Sequence, residues 1–320
     1  MEQESGIGSR YFERLEYAAP SERRTQGRTS AGCPALARGI DSAAMSYLDP
    51  VDLAHPDFAD FFDEVPLWSA AFGAAVLAAV PLRRGLTYLD IGSGTGFLSV
   101  ELAQRAGSDA MVISVDPWAA AAARLGRKIA YLELRNVRVV EGDAADLDLP
   151  DASVDVGISN LGVNNFADPD RVMAVVARVL KPGATLLLTS NLLGHGREFY
   201  EIFERTLRDE GLEEALPRLA RHVEHRATEA SLTRLLAAHG FQIRRCTPWS
   251  FPMRYADGTA LLNHHFIRMG FLPAWRAVLD GADAPRFFAV LERRLNEAAR
   301  GLGELRLTVP ALLVEATRRD

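Results

Sequence analysis

The run YLDIGSGTGFLSVEL, residues 88–102, constrains this chain more than any other stretch. A short apolar segment reaches an acidic residue, three glycines follow at alternate positions, and an apolar-periodic segment resumes at once. The pattern predicts a β-strand ending at Leu89 or Asp90, a tight turn through Gly92, Gly94 and Gly96, and a helix from about Phe97. Glycine permits positive φ and lets backbone approach a bulky ligand with no Cβ in the way. A helix starting here aims unpaired N–H groups and a favourable dipole at the turn. The turn is therefore expected to cradle a ligand.

Two chemistries compete for that cradle. The dinucleotide fingerprint is G-x-G-x-x-G, with phosphates seated on the helix N-terminus. Here the third glycine comes one residue early, in G-S-G-T-G, and Asp90 sits just before the turn. A carboxylate there repels a pyrophosphate and suits a ligand carrying an ammonium or sulfonium charge. In this form, acidic-x-Gly-x-Gly-x-Gly, the stretch resembles the first motif of the class I S-adenosylmethionine-dependent methyltransferases. The bland alternative is a glycine-rich surface turn with no ligand, and the strand–turn–helix context speaks against it.

The 320 residues suffice for one large α/β domain, or one domain with sizeable embellishments. A net charge of -6 gives no electrostatic case for nucleic acid. Two cysteines, Cys33 and Cys246, make neither a disulfide framework nor a zinc cluster. The longest apolar stretch, Trp68–Val80, is too short to span a bilayer, and the N-terminus lacks a signal-peptide hydrophobic segment. A soluble cytoplasmic protein is the default expectation, monomeric or homodimeric.

Residues 1–45 are Ser-, Gly-, Arg- and Glu-rich without apolar periodicity and are expected to form a disordered tail. Residues 46–320 are expected to be a single domain. Phe58, Phe61, Phe62, Trp68, Phe72 and Leu77 fall at helical spacing, which predicts helices near 55–64 and 67–79 divided at Pro66. Strand and helix then alternate, with strands at 86–89, 110–115, 137–141, 154–159 and 184–190 and helices at 97–106, 119–134 and 170–179. Such apolar strands at short βα spacing imply a parallel sheet covered on both faces. Beyond Ser190, helices are expected over 197–219 and 228–239, the latter capped by Thr228 or Ser231. Strand six is expected at 241–246 and a final strand at 307–315, with Pro310 marking an irregular start or an edge. The intervening segment, 256–302, reads as an insertion with helices at 265–279 and 286–299. Its aromatics, Phe266, Phe271, Trp275, Phe287 and Phe288, suit either a lid over a partly apolar acceptor or a dimer surface.

The family resemblance implies a Rossmann-like seven-stranded sheet in the order 3-2-1-4-5-7-6, strand 7 antiparallel, with helical N-terminal and lid insertions. The core is then 84–190 plus 228–250 and 303–317, with helical additions at 55–80, 197–219 and 256–302. N-terminal helices in that family often wall the substrate pocket. The runs DVGISNLGVNNF and RVLKPGATLLLTS resemble the small-molecule branch, that of the type 11 and ubiquinone-biosynthesis-like enzymes. Strand four ends Ser159-Asn160-Leu161-Gly162, so the Asn-Pro-Pro-Tyr signature of amino-group methyltransferases is absent.

Asp116 directly follows the second strand, 20 residues past Gly96, where a carboxylate can accept both hydroxyls of a ribose. That geometry serves NAD equally well, and Asp116 also reads as a helix cap before Pro117. Asp143 follows the third strand. The resemblance implies that it meets the adenine amino group, with Ala144 offering its backbone N–H to the ring. Asp90, Gly92, Ser93, Gly94, Gly96, Asp116, Pro117, Asp143, Ala144 and Asn160 thus form the expected cofactor site for S-adenosyl-L-methionine, whose product is S-adenosyl-L-homocysteine.

Methyl transfer from a sulfonium is a direct displacement that needs alignment and exclusion of water, and a base only if the nucleophile arrives protonated. Asn160 is expected to touch cofactor and substrate. His195, in the loop LLGHG, is the candidate base for a hydroxyl or thiol, against the reading of a surface-loop histidine. Asn164, Asn165 and Asn191 are candidate substrate contacts, as are Arg254 and Tyr255, where strand six enters the insertion. No metal is expected, because His222 and His225, and His264 and His265, lack a completing carboxylate spacing. The rival functions are an NAD(P)-dependent oxidoreductase and a protein that binds S-adenosylmethionine without transferring methyl.

Overall fold

The computed structural model describes residues 46–320 apart from 54, 56, 65, 66 and 282. The expected tail at 1–45, Cys33 and the break at Pro66 therefore lie outside the described residues. Strands β1 (Thr87–Ile91), β2 (Met111–Asp116), β3 (Val137–Glu141), β4 (Val154–Asn160) and β5 (Leu180–Asn191) run parallel. β6 (Phe241–Tyr255) and β7 (Leu305–Arg318) complete one seven-stranded sheet in the order β3-β2-β1-β4-β5-β7-β6, with β7 antiparallel to both neighbours. This is the order that the family resemblance implies.

The first helices are α1 (Phe58–Glu64) and α2 (Leu67–Ala79). The crossovers carry α3 (Phe97–Ala106), α4 (Ala119–Tyr131) and α5 (Pro169–Val179), each with its apolar stripe turned to the sheet. β5 begins early, taking in Lys181-Pro182-Gly183. The register between β4 and β5 jumps from Val154↔Leu180 to Val156↔Thr185, so these residues form a bulge. After α6 (Arg197–Asp209) and α7 (Leu216–Glu224) comes α8 (Glu229–Ala238). Its cap uses both expected residues: the Ser231 N–H donates to Thr228 Oγ1 (3.0 Å) and the Thr228 N–H donates to Ser231 Oγ (2.9 Å).

The largest departure from expectation is the β6–β7 hairpin. The two strands stay paired from Phe241↔Arg318 to Tyr255↔Leu305, whereas β5 meets β7 only as far as Asn191↔Ala311. The hairpin thus overshoots the C-terminal ends of the parallel strands, the side on which such sheets bind ligands. Pro310 lies just past the last β5 partner, so its missing N–H removes no bond from that ladder, and its carbonyl still accepts from the Leu192 N–H (2.9 Å). Pro248 and Pro252 fall on β6, the edge strand, where a lost donor is tolerated.

Between the hairpin strands lie four helices rather than the expected two: α9 (Gly258–Asn263), α10 (His265–Gly270), α11 (Leu272–Ala277) and α12 (Ala284–Leu302). With α6 and α7 they enclose a second hydrophobic core. Phe271, Trp275, Phe287 and Phe288 are all buried in it, so these aromatics are spent inside the chain rather than offered as a dimer surface. No helix among the described residues is long and apolar enough to cross a membrane.

On the other flank, α1 is held to α4 by charge. Asp63 accepts from Arg124 Nε (2.8 Å) and from Lys128 Nζ, and Lys128 also donates to the Thr95 carbonyl in the glycine turn (2.9 Å). Burial alone would raise the Asp63 pKa, but the bonds from Lys128 and Arg124 outweigh it and hold the carboxyl below its ordinary range. A group depressed in this way stabilises the fold fully above its unfolded pKa, and that contribution is lost as the pH falls through the folded value. Asp63→Asn is expected to cost about 1–3 kcal/mol at neutral pH, and the difference from wild type should shrink in acid. Urea melts of both proteins across the acid range check it.

Candidate functional site

The site begins where β1 and β2 end side by side. The N–H groups of Gly92 and Ser93 donate to the Val115 carbonyl (2.9 and 3.1 Å), and the Gly94 N–H donates to Asp116 Oδ2 (2.7 Å). The other Asp116 oxygen accepts from the Trp118 N–H (2.9 Å). Asp116 therefore does not cap α4, which starts at Ala119 with Trp118 as its N-cap. It fastens the two loops together and keeps lone pairs free. Gly96, in the left-handed conformation (φ 84°), is the N-cap of α3. A Cβ on it would stand 2.2 Å from Leu125 Cδ1, so this glycine lets α3 and α4 pack closely, and it does not line the cavity.

The turn opens into a cavity of about 580 Å³, within the range of small-molecule sites. Of the expected cofactor residues, Asp90, Gly92, Ser93, Gly94, Asp116, Pro117, Asp143, Ala144 and Asn160 line it. Its charged lining, among the described residues, consists of the carboxylates Asp90, Asp116 and Asp143, with no arginine, lysine or histidine. Asp90 is buried and accepts from Ser99 Oγ (2.6 Å), which in turn accepts from Ser114 Oγ (2.7 Å). Burial first, and the neighbouring Asp116 charge second, push the Asp90 pKa up to about 7 despite the Ser99 bond. Burial also raises Asp116, against the pull of the Trp118 and Gly94 N–H groups. Asp143 Oδ1 caps the short 3₁₀ turn Ala144–Asp146 through the Ala145 N–H (2.8 Å).

The remaining candidates divide. Asn160 reaches the cavity, but both ends of its amide are engaged: Nδ2 donates to the Ser69 carbonyl (3.0 Å) and Oδ1 accepts from Thr189 Oγ1 (2.8 Å). It pins the first turn of α2 over the strand ends. Asn165 lines the cavity, whereas Asn164 and Asn191 do not. Asn164 Nδ2 donates to Asn191 Oδ1 (2.8 Å), while Asn191 Nδ2 is buried without a partner. Arg254 pairs with Glu304 (2.8 Å from Nε), and Tyr255 packs on His264, both at the far end of the hairpin. His195 is buried one layer behind the cavity wall, edge-on to Trp68 (5.2 Å) and stacked on Phe271 (5.3 Å).

The cavity walls also hold residues that strand-end reasoning does not reach. Phe62, Trp68 and Ser69 come from α1 and α2, and Phe97, Trp118 and Phe166 add further aromatic faces. Trp118 meets Phe62 edge-to-face (5.3 Å). Leu161, at the exit of β4, holds the left-handed conformation (φ 66°), a strained position for a γ-branched residue. The following Gly162 admits no side chain, since a Cβ would stand 2.5 Å from Ser159 Oγ and 2.6 Å from the Ile91 carbonyl. A glycine directly after an apolar strand was the available signal.

Comparison with known proteins bears on this geometry. Residues 89–188 match the family model described as a methyltransferase domain. The match runs from β1 into β5 and so takes in the glycine turn and the three strand-end carboxylates. A demethylmenaquinone methyltransferase of Deinococcus radiodurans is 37% identical over 127 residues, 38% of this chain and 48% of that protein. An arsenite methyltransferase of Aquipseudomonas alcaligenes is 34% identical over 167 residues, 50% of this chain and 44% of that protein. The chain thus spans less than half the length of these relatives. The YcgJ protein of Bacillus subtilis superposes with a TM-score of 0.51 at 19% identity, covering 78% of this chain and 99% of that one, a likeness of fold. The glycine turn, the free lone pairs of Asp116 and the acidic lining fit a sulfonium nucleoside in this methyltransferase domain.

Two outcomes follow from the geometry. Gly96→Ala is expected to destabilise the domain by about 1–3 kcal/mol through overpacking against Leu125, read as a lower urea midpoint. His195 is held down to about 3, by burial first and by the Arg226 charge second. Its imidazole signals should therefore not titrate between pH 5 and 8 in an NMR series.

Proposed function

We propose that this chain binds S-adenosylmethionine and transfers its methyl group to a small-molecule acceptor by direct displacement. One observation carries the reading. Three carboxylates from the ends of β1, β2 and β3 converge with the glycine turn on a cavity whose lining has no basic side chain. Such a lining opposes the pyrophosphate of a nicotinamide cofactor and favours a cation.

When bound, the cofactor supplies an activated methyl on a sulfonium. Asp116, already anchored by two N–H groups, offers its remaining lone pairs to ribose hydroxyls, and Asp143 faces the adenine side. Asp90 and the glycine turn receive the cationic end. Asn160 acts as a positioning residue that holds α2 over the site, while Trp68, Phe97 and Phe166 exclude water and wall the acceptor side. The relatives differ in the acceptor that their names carry, demethylmenaquinone or arsenite, so the acceptor is argued from the walls. Aromatic walls favour a partly apolar one. The lining holds carboxylates as its only ionisable side chains among the described residues, and this supports a nucleophile that arrives without need of a histidine base.

Calorimetric titration with S-adenosylhomocysteine, with NAD and NADP as controls, tests the reading. Binding of the homocysteine nucleoside alone is expected, and binding of a nicotinamide cofactor instead would overturn it. The Asp90 carboxyl, titrating near 7, adds a signature. Raised above its unfolded value, it makes the unliganded fold less stable as pH rises from about 4 to 7, because the folded state holds the proton longer. A bound cation favours the ionised form, so affinity should climb as pH rises through 7. In Asp90→Asn that rise should disappear. An unchanged pH profile in the variant would remove Asp90 from the cationic subsite.

A further inference from the structure

Beside the second core stands a positive charge with no carboxylate paired to it among the described residues. Arg226 is half-buried on the segment joining α7 to α8, and its guanidinium lies over the Phe271 ring with Cζ 5.9 Å from the centroid. The segment is fixed beside the loop after β5: Ala227 bridges Leu192, and the Leu193 N–H donates to the Ala227 carbonyl (2.9 Å). Among the described residues no carboxylate pairs with Arg226, and the Tyr200 hydroxyl is a polar neighbour that feels its charge.

The groups around that charge are neutral. Trp275 Nε1 donates to Tyr200 Oη (3.2 Å), and the same hydroxyl pairs with His222 Nε2 (2.9 Å). Burial first, and the Arg226 charge second, hold the His222 pKa down to about 4, so this imidazole is neutral. His195, buried and stacked on Phe271, leaves its Nδ1 without a partner. His225, with its Nδ1 on the His222 carbonyl, is likewise held below its ordinary pKa by burial and by Arg226. A guanidinium carries five donors and prefers carboxylate or phosphate in bidentate geometry. Holding one part-buried against an aromatic ring with no carboxylate beside it leaves those donors ready for an anion.

We propose that Arg226 is an anion-recognition residue of the lid, receiving a carboxylate or phosphate carried by the acceptor. The site sits behind Trp68, which lines the cavity on its other side and touches both His195 and Phe271. An acceptor with an apolar ring toward the cavity and an oxyanion toward the lid matches both surfaces. The anion's assignment to the acceptor rests on the methyl-transfer reading, whereas the anion site itself does not.

The test titrates the full chain calorimetrically with phenylacetate and with phenylacetamide, at neutral pH and fixed ionic strength, with and without S-adenosylhomocysteine. The two probes share shape and differ in charge. Wild type is expected to prefer the carboxylate about tenfold, Arg226→Gln to lose the preference, and Arg226→Lys to keep part of it. Equal affinity for the nucleoside in all three proteins shows that the variants are folded. Equal binding of carboxylate and amide by wild type, or a preference surviving in Arg226→Gln, would overturn the anion site. Inorganic phosphate or acetate binding as tightly as phenylacetate would overturn the assignment to the acceptor, and much weaker binding supports it. Loss of nucleoside binding with the carboxylate preference intact would instead sink the methyl-transfer reading and leave this site standing.

Discussion

The hydrogen bond from the Gly94 N–H to the Asp116 carboxylate is the contact on which the rest of the site depends. It joins the loop leaving β1 to the loop leaving β2, and the second oxygen of the same carboxylate takes the Trp118 N–H. One side chain thereby fixes two turns that would otherwise be independently mobile. The same bonds hold a carboxylate in the cavity lining next to buried Asp90. Two carboxylates so placed repel, which is why Asp116 contributes to the raised pKa of Asp90. The fold tolerates that repulsion by leaving Asp90 protonated near neutrality, with the Ser99–Ser114 chain as its hydrogen-bond support. A cation arriving in the cavity relieves the repulsion, so the electrostatic cost of the empty site becomes selectivity for a positively charged ligand.

How much of this was legible depends on how local the signal is. The strand–turn–helix of residues 88–102 and the placement of Asp90, Asp116 and Asp143 at strand ends follow from contiguous text, because each βα unit carries its own periodicity and punctuation, whereas the strand order rests on the family resemblance. The same text misleads about Gly96. Its place in the glycine turn suggests a ligand contact, but the steric demand on it comes from Leu125 in the next helix, a contact that sequence spacing does not encode. Asp116 reads as a helix cap because Pro117 follows it, yet the helix starts later and the carboxylate turns back to Gly94.

The lid was less legible, for reasons visible in β6 and β7. Pro248, Pro252 and Pro310 interrupt what would otherwise be long strands, and proline ordinarily argues against a strand. On the edge strand, and at the position where β5 stops, those objections lapse, but both circumstances are known only once the sheet is assembled. The overshooting hairpin then changes the meaning of its neighbours. Arg254 and Tyr255 are carried to its far end, away from the cavity, while Trp249, Phe251 and Met253 pack beside Phe72, Leu161 and Trp68. Aromatics of the insertion that read as an exposed surface become a second core.

The histidines show how a few hydrogen bonds decide chemistry that residue type leaves open. His222 and His225 invite a metal reading by their spacing. In the structure, however, His222 is committed. Trp275 donates to Tyr200, and the tyrosine hydroxyl in turn pairs with His222 Nε2, so that nitrogen is engaged inside the chain. His225 commits its Nδ1 to the His222 carbonyl. His195 is sealed among Trp68 and Phe271 and stays neutral. With His195 and His222 held neutral, Arg226 keeps its charge without a paired carboxylate and sets a cationic point behind an aromatic wall. The cavity on the near side of that wall is acidic. A ligand pair that is cationic at the strand ends and anionic under the lid satisfies both fields at once, and its reversed arrangement satisfies neither.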